Sequence, residues 1–310
     1  MNFRQMRYFV TIVEEGSFSR AARTLRVAQP SLSQHMVNLE EEIGAQLLVR
    51  SPRGVTPTAA GDVLYLHAKK ISAQFKQARD DVRLEADTPK GEVAVVLPPM
   101  LTEHLPARLL GDIEEAYPEV RLRIMEARSL EAHTLVETGR VDIGLLGSVS
   151  PLKNVNSAAM FREPLFFVQG NGSGGGEVGE PITFDEVAEL PLVLSRNPHA
   201  VRRVMEKTAA QKKISLNVKV EAESTGLLKN YLKSGIASAI LPWPYLCSML
   251  KRGEVSVRKI VEPELIRTIY IAWSKNYPLN AAATIVKEKL SELIGDLHEE
   301  EVICGEMIGR

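Results

Sequence analysis

The sequence predicts an α/β protein in three parts: a small helical head ending in a two-stranded wing, a long linker helix, and an α/β body. Three observations carry this. Residues 2–43 fall into three short amphipathic segments separated by Gly16 and by the stretch before Gln29. No breaker interrupts the chain between Gly61 and about residue 86. From Gly91 onward, short apolar runs alternate with helical ones, as expected of βαβ units around a mostly parallel sheet. With 310 residues, 45% hydrophobic and 25% charged, the chain has globular composition and length for two or three folded units, which excludes a disordered or fibrous protein. The first apolar run, residues 8–13, meets Glu14-Glu15 with no small-residue cleavage site, and no run approaches the ~18 residues of a membrane span. Neither signal peptide nor membrane partner is expected. Cys247 and Cys304 lie far apart without CxxC spacing, which argues against a disulfide framework and a zinc site and fits a reducing cytoplasm.

In the head, Met6, Phe9, Val10 and Val13 recur at helical spacing, and Asn2 with Gln5 forms a possible capping box. Ser17 caps a second helix, residues 18–25, whose Ala21-Ala22 pair lets another helix cross closely. A third runs over residues 29–43, with Pro30 tolerated in its first turn, Gly44 ending it, and Leu32, Met36, Leu39 and Ile43 on its apolar face. Two short helices joined by a tight turn read as a helix-turn-helix. Leu47-Leu48-Val49 and Val55 flank Arg50-Ser51-Pro52-Arg53-Gly54, a wing with a basic tip. In the helix opened by Thr56-Pro57, the residues Leu64, Ile71, Phe75, Ala78 and Val82 have the narrow heptad-like spacing of a seam that pairs with a second copy. Residues 87–91 read as a hinge linker.

The body has apolar runs at 93–97, 120–125 and 141–146 alternating with helical stretches at 105–117 and 130–138. A second set follows at 165–168, 192–194, 200–210, 217–220, 226–234 and 237–241. Residues 268–273 and a helix over 280–297 complete it. The glycine-rich segment 170–176 reads as a solvated loop.

Charge separates head from body. Residues 1–61 hold seven Arg, no Lys and five acids, a net of +2, and the remaining 31 bases and 34 acids leave −3. An Arg-only head is an anion-binding signature. In a helix-turn-helix the first turn of the second helix meets base edges in the major groove. Gln29, Pro30, Ser31, Ser33 and Gln34 occupy that turn; Gln can address adenine through two hydrogen bonds, and Ser reaches a base or a phosphate. Arg50 and Arg53 at the wing suit phosphates or the minor groove. Enzyme chemistry finds no support: Asn171 breaks any GxSxG around Ser173, the glycine-rich segment lacks GK[ST], and the six His show no metal spacing. Ser195 and His199 are four apart but have no orienting acid.

Residues 2–61 resemble the winged helix-turn-helix of the LysR-type transcriptional regulators. The matching residues are Phe9, Gly16-Ser17-Phe18, Ala21-Ala22, Leu25, Gln29-Pro30-Ser31, Ser33, Leu39-Glu40, Gly44, Leu47, Arg50, Arg53 and 56–61 (TPTAAG). Leu48 stands where many members carry Phe. The likeness extends through the body at Leu105-Pro106, Tyr117-Pro118, 139–144 and Ile240-Leu241-Pro242, and the opening residues, RGVTPT and Leu97-Pro98-Pro99 look closest to the nitrogen assimilation control subgroup. The resemblance implies a winged helix-turn-helix over 1–58, a dimerisation helix over 59–88 and an effector-binding body over 89–310. It implies that the body resembles a periplasmic binding protein, with subdomain I over about 91–162 and 268–300, subdomain II over about 163–267, and an effector cleft between them. Implied partners are double-stranded DNA, a second copy in a homodimer or homotetramer, RNA polymerase and a small-molecule effector; no cofactor is implied.

Open α/β sheets bind ligands beyond the carboxyl ends of their strands, which places effector candidates at Pro99, Met100, Leu101, Thr102, Arg128, Ser148, Ser195, Arg196 and Asn197. Many members carry Ser or Thr just after the prolines, where this chain has Met100. A solute-binding protein whose N-terminal helices serve only association remains the alternative; the absent signal peptide and the Arg-bearing wing favour the regulator.

Overall fold

The computed structural model describes residues 1–52, 54–84, 89–147, 154–170, 176–196 and 199–308, and within the long helix it leaves the side chains of 73 and 76–84 undescribed. The chain forms two compact units, Met1–Ala86 with Asn276–Pro278, and Asp87–Lys275 with Leu279–Arg310.

The first unit opens with α1 (Phe3–Glu15), α2 (Phe18–Leu25) and α3 (Gln29–Ile43). The Asn2–Gln5 capping box forms in both directions, Ser17 accepts from the Arg20 amide, and Gly16 and Gly44 end α1 and α3 in the left-handed region. Tyr8, Phe9, Ile12, Ala21, Ala22, Leu32, Met36, Leu39, Leu47 and Leu48 are buried together. Ile43, expected on the apolar face, is exposed at the last position of α3.

Strands β1 (Leu48–Ser51) and β2 (Gly54–Pro57) pair antiparallel as the wing. Glu40 fastens it to α3, its carboxylate accepting from the backbone N–H of Leu47 (2.7 Å) and Leu48 (3.1 Å). The Val55 amide donates to Gly16 O, and a Cβ on Gly54 would lie 2.7 Å from that oxygen, so the wing docks on the α1–α2 turn only with glycine there. The long helix α4 (Ala59–Leu84) is capped by the Thr58 hydroxyl, which accepts from the Gly61 amide.

The second unit divides between two sheet regions that share one strand. Strands β3 (Gly91–Leu97), β4 (Val120–Glu126) and β5 (Ile143–Gly147) are parallel in the order β4-β3-β5, connected by α5 (Pro106–Ala116) and α6 (Ser129–Glu137). A short 3-10 turn, Pro99–Leu101, follows β3. The sixteen-residue β6 (Val155–Gly170) leaves this region and enters the other. Its first half pairs with the returning strand β12 (Ile266–Ser274), which also pairs with β5; its second half pairs with β10 (Ala239–Pro242) and β11 (Val255–Val261). The second region adds β7 (Glu177–Thr183), α7 (Phe184–Glu189), β8 (Leu192–Leu194), α8 (Ala200–Lys212), β9 (Val218–Glu221), α9 (Thr225–Lys233) and α10 (Trp243–Lys251). Helix α11 (Ala281–Glu299) packs back on the first region, and β13 (Glu306–Met307) pairs with β6 at Arg162 and Phe161.

The two halves are therefore joined where β6 passes Glu163 and β12 begins at Ile266. Each keeps its own apolar core: Leu97, Leu101, Ile113, Ile269 and Leu290 on one side, Phe167, Phe184, Met205 and Ile260 on the other. Among the described residues, no helix is long and apolar enough to cross a membrane.

Candidate functional site

In the first unit the exposed side chains of α3 are polar at its N-terminal turn. Ala28 takes the cap position with no side-chain acceptor, so the first-turn N–H groups carry no side-chain cap. Gln29, Pro30, Ser31 and Gln34 are exposed or half-exposed, and Ser33 is half-buried, its hydroxyl accepting from Gln29 Nε2 at 3.1 Å. Gln34 Nε2 donates to Asn38 Oδ1 at 2.8 Å. These bonds hold two amides against the helix with their remaining acceptors and donors free to face a partner. Val37, 38% exposed on the same helix, was not singled out from sequence; an apolar group there can meet a thymine methyl. His35 is instead spent on packing, edge-on to Tyr8.

Arg50, in β1, lies 4.2 Å above the Phe18 ring, so the wing guanidinium is held at the start of α2 by a cation–π contact rather than left to swing. Arg53 lies outside the described residues.

On α4 the expected seam divides. Leu64 is partly buried, packed against the core of its own unit beneath α1–α3. Ile71 (38% exposed) and Phe75 (57%) stay largely open, although Phe75 stacks at 4.5 Å on Phe3. Val63 and Leu66, which the heptad spacing passes over, are at least half exposed. The side chains of Ala78 and Val82 lie outside those described.

In the second unit a cavity of about 60 Å³ lies between the two halves, at the ends of β3, β4, β8, β9 and β10. Of the residues expected there, Pro99, Met100, Arg128 and Ser195 line it. Leu101 does not: it is fully buried in the first core. Thr102 turns its hydroxyl to Pro99 O (2.8 Å) and Glu126 Oε2 (3.1 Å), which satisfies it locally. Arg196 extends outward, 71% exposed and 3.9 Å from Glu223. Ser148 and Asn197 lie outside the described residues.

Sequence reasoning missed the cations that define the cavity. Arg202, Lys229 and Arg267 line it together with Arg128, and His199, Ser224, Thr225 and Tyr245 complete its polar wall. Most were within reach of the strand-end rule: Ser224 and Thr225 follow β9, and His199 and Arg202 follow β8. Arg267 was not, since it projects from within β12. Its signal lay in its cross-strand partner, because Glu163 is the one carboxylate in β6.

Arg267 and Glu163 stand opposite each other at the junction of the halves, both buried, with Arg267 Nε donating to Glu163 Oε1 at 2.6 Å. Burial pushes the Glu163 carboxyl up, and Arg267 pulls it back. Another Arg267 nitrogen donates to the Met100 thioether. Arg202 is bound to Glu206 at 2.6 Å and lies 3.8 Å from Glu221, yet its buried Nη1 has no hydrogen-bond partner. His199 is pushed down to about 4, first by burial and then by Arg267 and Arg128, so it is neutral at neutral pH; its buried Nδ1 also lacks a partner. The N-termini of α6 and α8, whose cap positions are Arg128 and His199, receive no side-chain cap and enter from opposite halves. Positive charge and free donors thus converge on a small, mostly apolar-walled space. At its rim Lys229 pairs with Glu103 across the halves at 3.0 Å.

Comparison with known proteins covers nearly the whole chain. Residues 3–62 match the family "Bacterial regulatory helix-turn-helix protein, lysR family", and residues 86–293 match "LysR substrate binding domain". The chain is 32% identical over 295 residues to the nitrogen assimilation regulatory protein nac of Klebsiella aerogenes and 30% identical to that of Escherichia coli K12, with 95% of each chain covered in both cases. Among solved structures, a full-length, singly substituted OxyR from Pseudomonas aeruginosa superimposes with TM-score 0.72 at 22% identity (95% of this chain, 97% of that one). Full-length CbnR complexed with its target DNA gives 0.63 at 19% (94% and 100%).

Proposed function

The chain belongs to the LysR family of DNA-binding transcription regulators and carries the family's effector-binding domain, and from that premise we propose which residues do the work. The first turn of α3 reads base edges through Gln29, Ser31, Ser33 and Gln34, with Pro30 shaping the turn. Arg50 and Arg53 hold the DNA backbone beside it. Two copies associate through the exposed apolar side chains of α4, presenting two α3 helices to a partly palindromic site. Ile71 and Phe75, with Ala78 and Val82 further along, form that contact. The cavity of the second unit takes a small anionic effector and the DNA-bound protein acts on RNA polymerase, in the cytoplasm where its DNA is. Likeness to the two nac proteins over nearly the full length supports membership of the nitrogen assimilation control subgroup.

The observation that carries the DNA reading is the exposed, uncapped polar first turn of α3, in the same unit as a guanidinium fixed on Phe18. The effector reading is carried by the four cations on one small cavity. Salt dependence tests the first: retention on duplex DNA must fall steeply with salt as condensed counterions are released, and a salt-insensitive interaction, or none, overturns it.

A further inference from the structure

Of the four cations on the cavity, three have carboxylate partners among the described residues. Arg267 is neutralised by Glu163 at 2.6 Å and covered by Met100, whose thioether takes one of its N–H groups and which is only 3% exposed. Lys229 is held at the rim by Glu103. Arg202 is bound to Glu206 through Nε at 2.6 Å and lies 3.8 Å from Glu221 through Nη1, a buried nitrogen that makes no hydrogen bond, and among the described residues no carboxylate pairs with Arg128. Beside them His199 Nδ1 is buried and unpartnered, and the uncapped first turns of α6 and α8 add backbone N–H groups from both halves. Buried polar groups of this kind are costly to leave unpaired, so their presence around one space suits it to a partner supplied from outside, solvent or ligand, and Arg202 Nη1 and the backbone N–H groups call for an acceptor.

The space sets the size of that acceptor. At about 60 Å³ the space is small and favours a compact ligand. Met100 bounds the space on one side, its thioether set against Arg267. We propose that the cavity is a site for a compact oxyanion, the class of sulfate, phosphate, nitrate and one- or two-carbon carboxylates, held by Arg128, Arg202 and His199, with Met100 as the residue that excludes larger anions. The inference rests on the reading of this cavity as the effector site and narrows the ligand class within it.

The test is calorimetric titration of the full chain at fixed ionic strength in a chloride buffer. Sulfate, phosphate, nitrate and acetate form one arm, and benzoate and aspartate the other. At least one compact oxyanion binds the native protein, tenfold or more weaker in Arg128→Gln and in Arg202→Gln, while benzoate and aspartate do not bind until Met100→Ala opens the space over Arg267. Thermal melting of each variant establishes that it is folded. No heat from any compact oxyanion, or binding undiminished in both arginine variants, overturns the proposal. Benzoate or aspartate binding the native protein as tightly as the compact anions overturns the size limit and leaves the effector reading standing. Arginine-dependent oxyanion binding that leaves DNA affinity unchanged does the reverse: the site stands and its role as effector site falls.

Discussion

Replacing Arg267 with Met while leaving Glu163 in place strands a carboxylate at the junction between the two halves. Glu163 is fully buried, Arg267 is 6% exposed, and its Nε lies 2.6 Å from one carboxylate oxygen, while the other oxygen has no partner even in the native protein. Arg267 is thus the carboxylate's one compensating charge among the described residues. Breaking such a pair from one side costs about 3–5 kcal/mol, whereas replacing both partners with apolar side chains of similar volume is near neutral or stabilising by about 1–4 kcal/mol. Arg267→Met alone should therefore lower the stability of the second unit by about 3–5 kcal/mol, and Arg267→Met with Glu163→Leu should restore it to within about 1 kcal/mol of native or better. Both tryptophans, Trp243 and Trp273, lie in that unit, so urea unfolding followed by tryptophan fluorescence reads it without the DNA-binding head. The loss should shrink at acidic pH, because a carboxyl already pushed up by burial rises further without Arg267 and takes a proton instead of staying charged. A single variant within about 1 kcal/mol of native, or a double variant as unstable as the single, would refute the assignment of this pair as a buried charge held by one partner.

Three further outcomes follow from the same structure. His199 titrates near 6.5 when unfolded but about 4 when folded, so the unfolded chain binds more protons in that window; stability is full above pH 6.5 and falls by about 3 kcal/mol as pH drops through 4. The His199→Gln variant should lose that slope in the same tryptophan assay, and an unchanged slope assigns it elsewhere. Gln29→Ala should cost about 1–3 kcal/mol on a specific duplex and almost nothing on random DNA, measured by fluorescence anisotropy; equal losses on both remove it from base reading. Ile71→Asp puts an unpaired carboxylate into the α4 contact, so light scattering should show monomer and DNA affinity should fall roughly tenfold or more, whereas an intact dimer moves the interface off α4.

Local rules made the head readable. Capping residues, glycine stops and helical spacing sit within a few residues of each other, and the spans expected for α2 and α3 match the folded ones. The body was readable where strands are apolar runs, and less so elsewhere. The edge strand β7 carries Gly179 and Pro181, residues that interior strands avoid and that an edge tolerates, so its sequence does not look like a strand. The length of β6 was hidden because Glu163 and Pro164 interrupt its apolar run at the passage between the halves. The same passage explains the incomplete site. Strand-end reasoning finds residues on the loops after a strand, which is why Pro99, Met100, Arg128 and Ser195 were identified. Arg267 reaches the cavity from inside a strand that pairs with β6, a placement fixed by long-range register. Thr102 and Arg196 sit beside strand ends, but one hydroxyl is satisfied by its own turn and one side chain points to solvent, details of rotamer and chain path that spacing does not encode.

Selection of bound duplexes from a random-sequence pool by the full-length protein tests the central claim that α3 reads DNA as one of two symmetric copies. The native protein should enrich a partly palindromic sequence with half-sites about one helical turn, or a multiple of it, apart, and Gln29→Ala should relax base preference at matching positions in both halves. A pool that shows no enrichment, or an enriched motif unchanged by Gln29→Ala together with Gln34→Ala, would contradict the account.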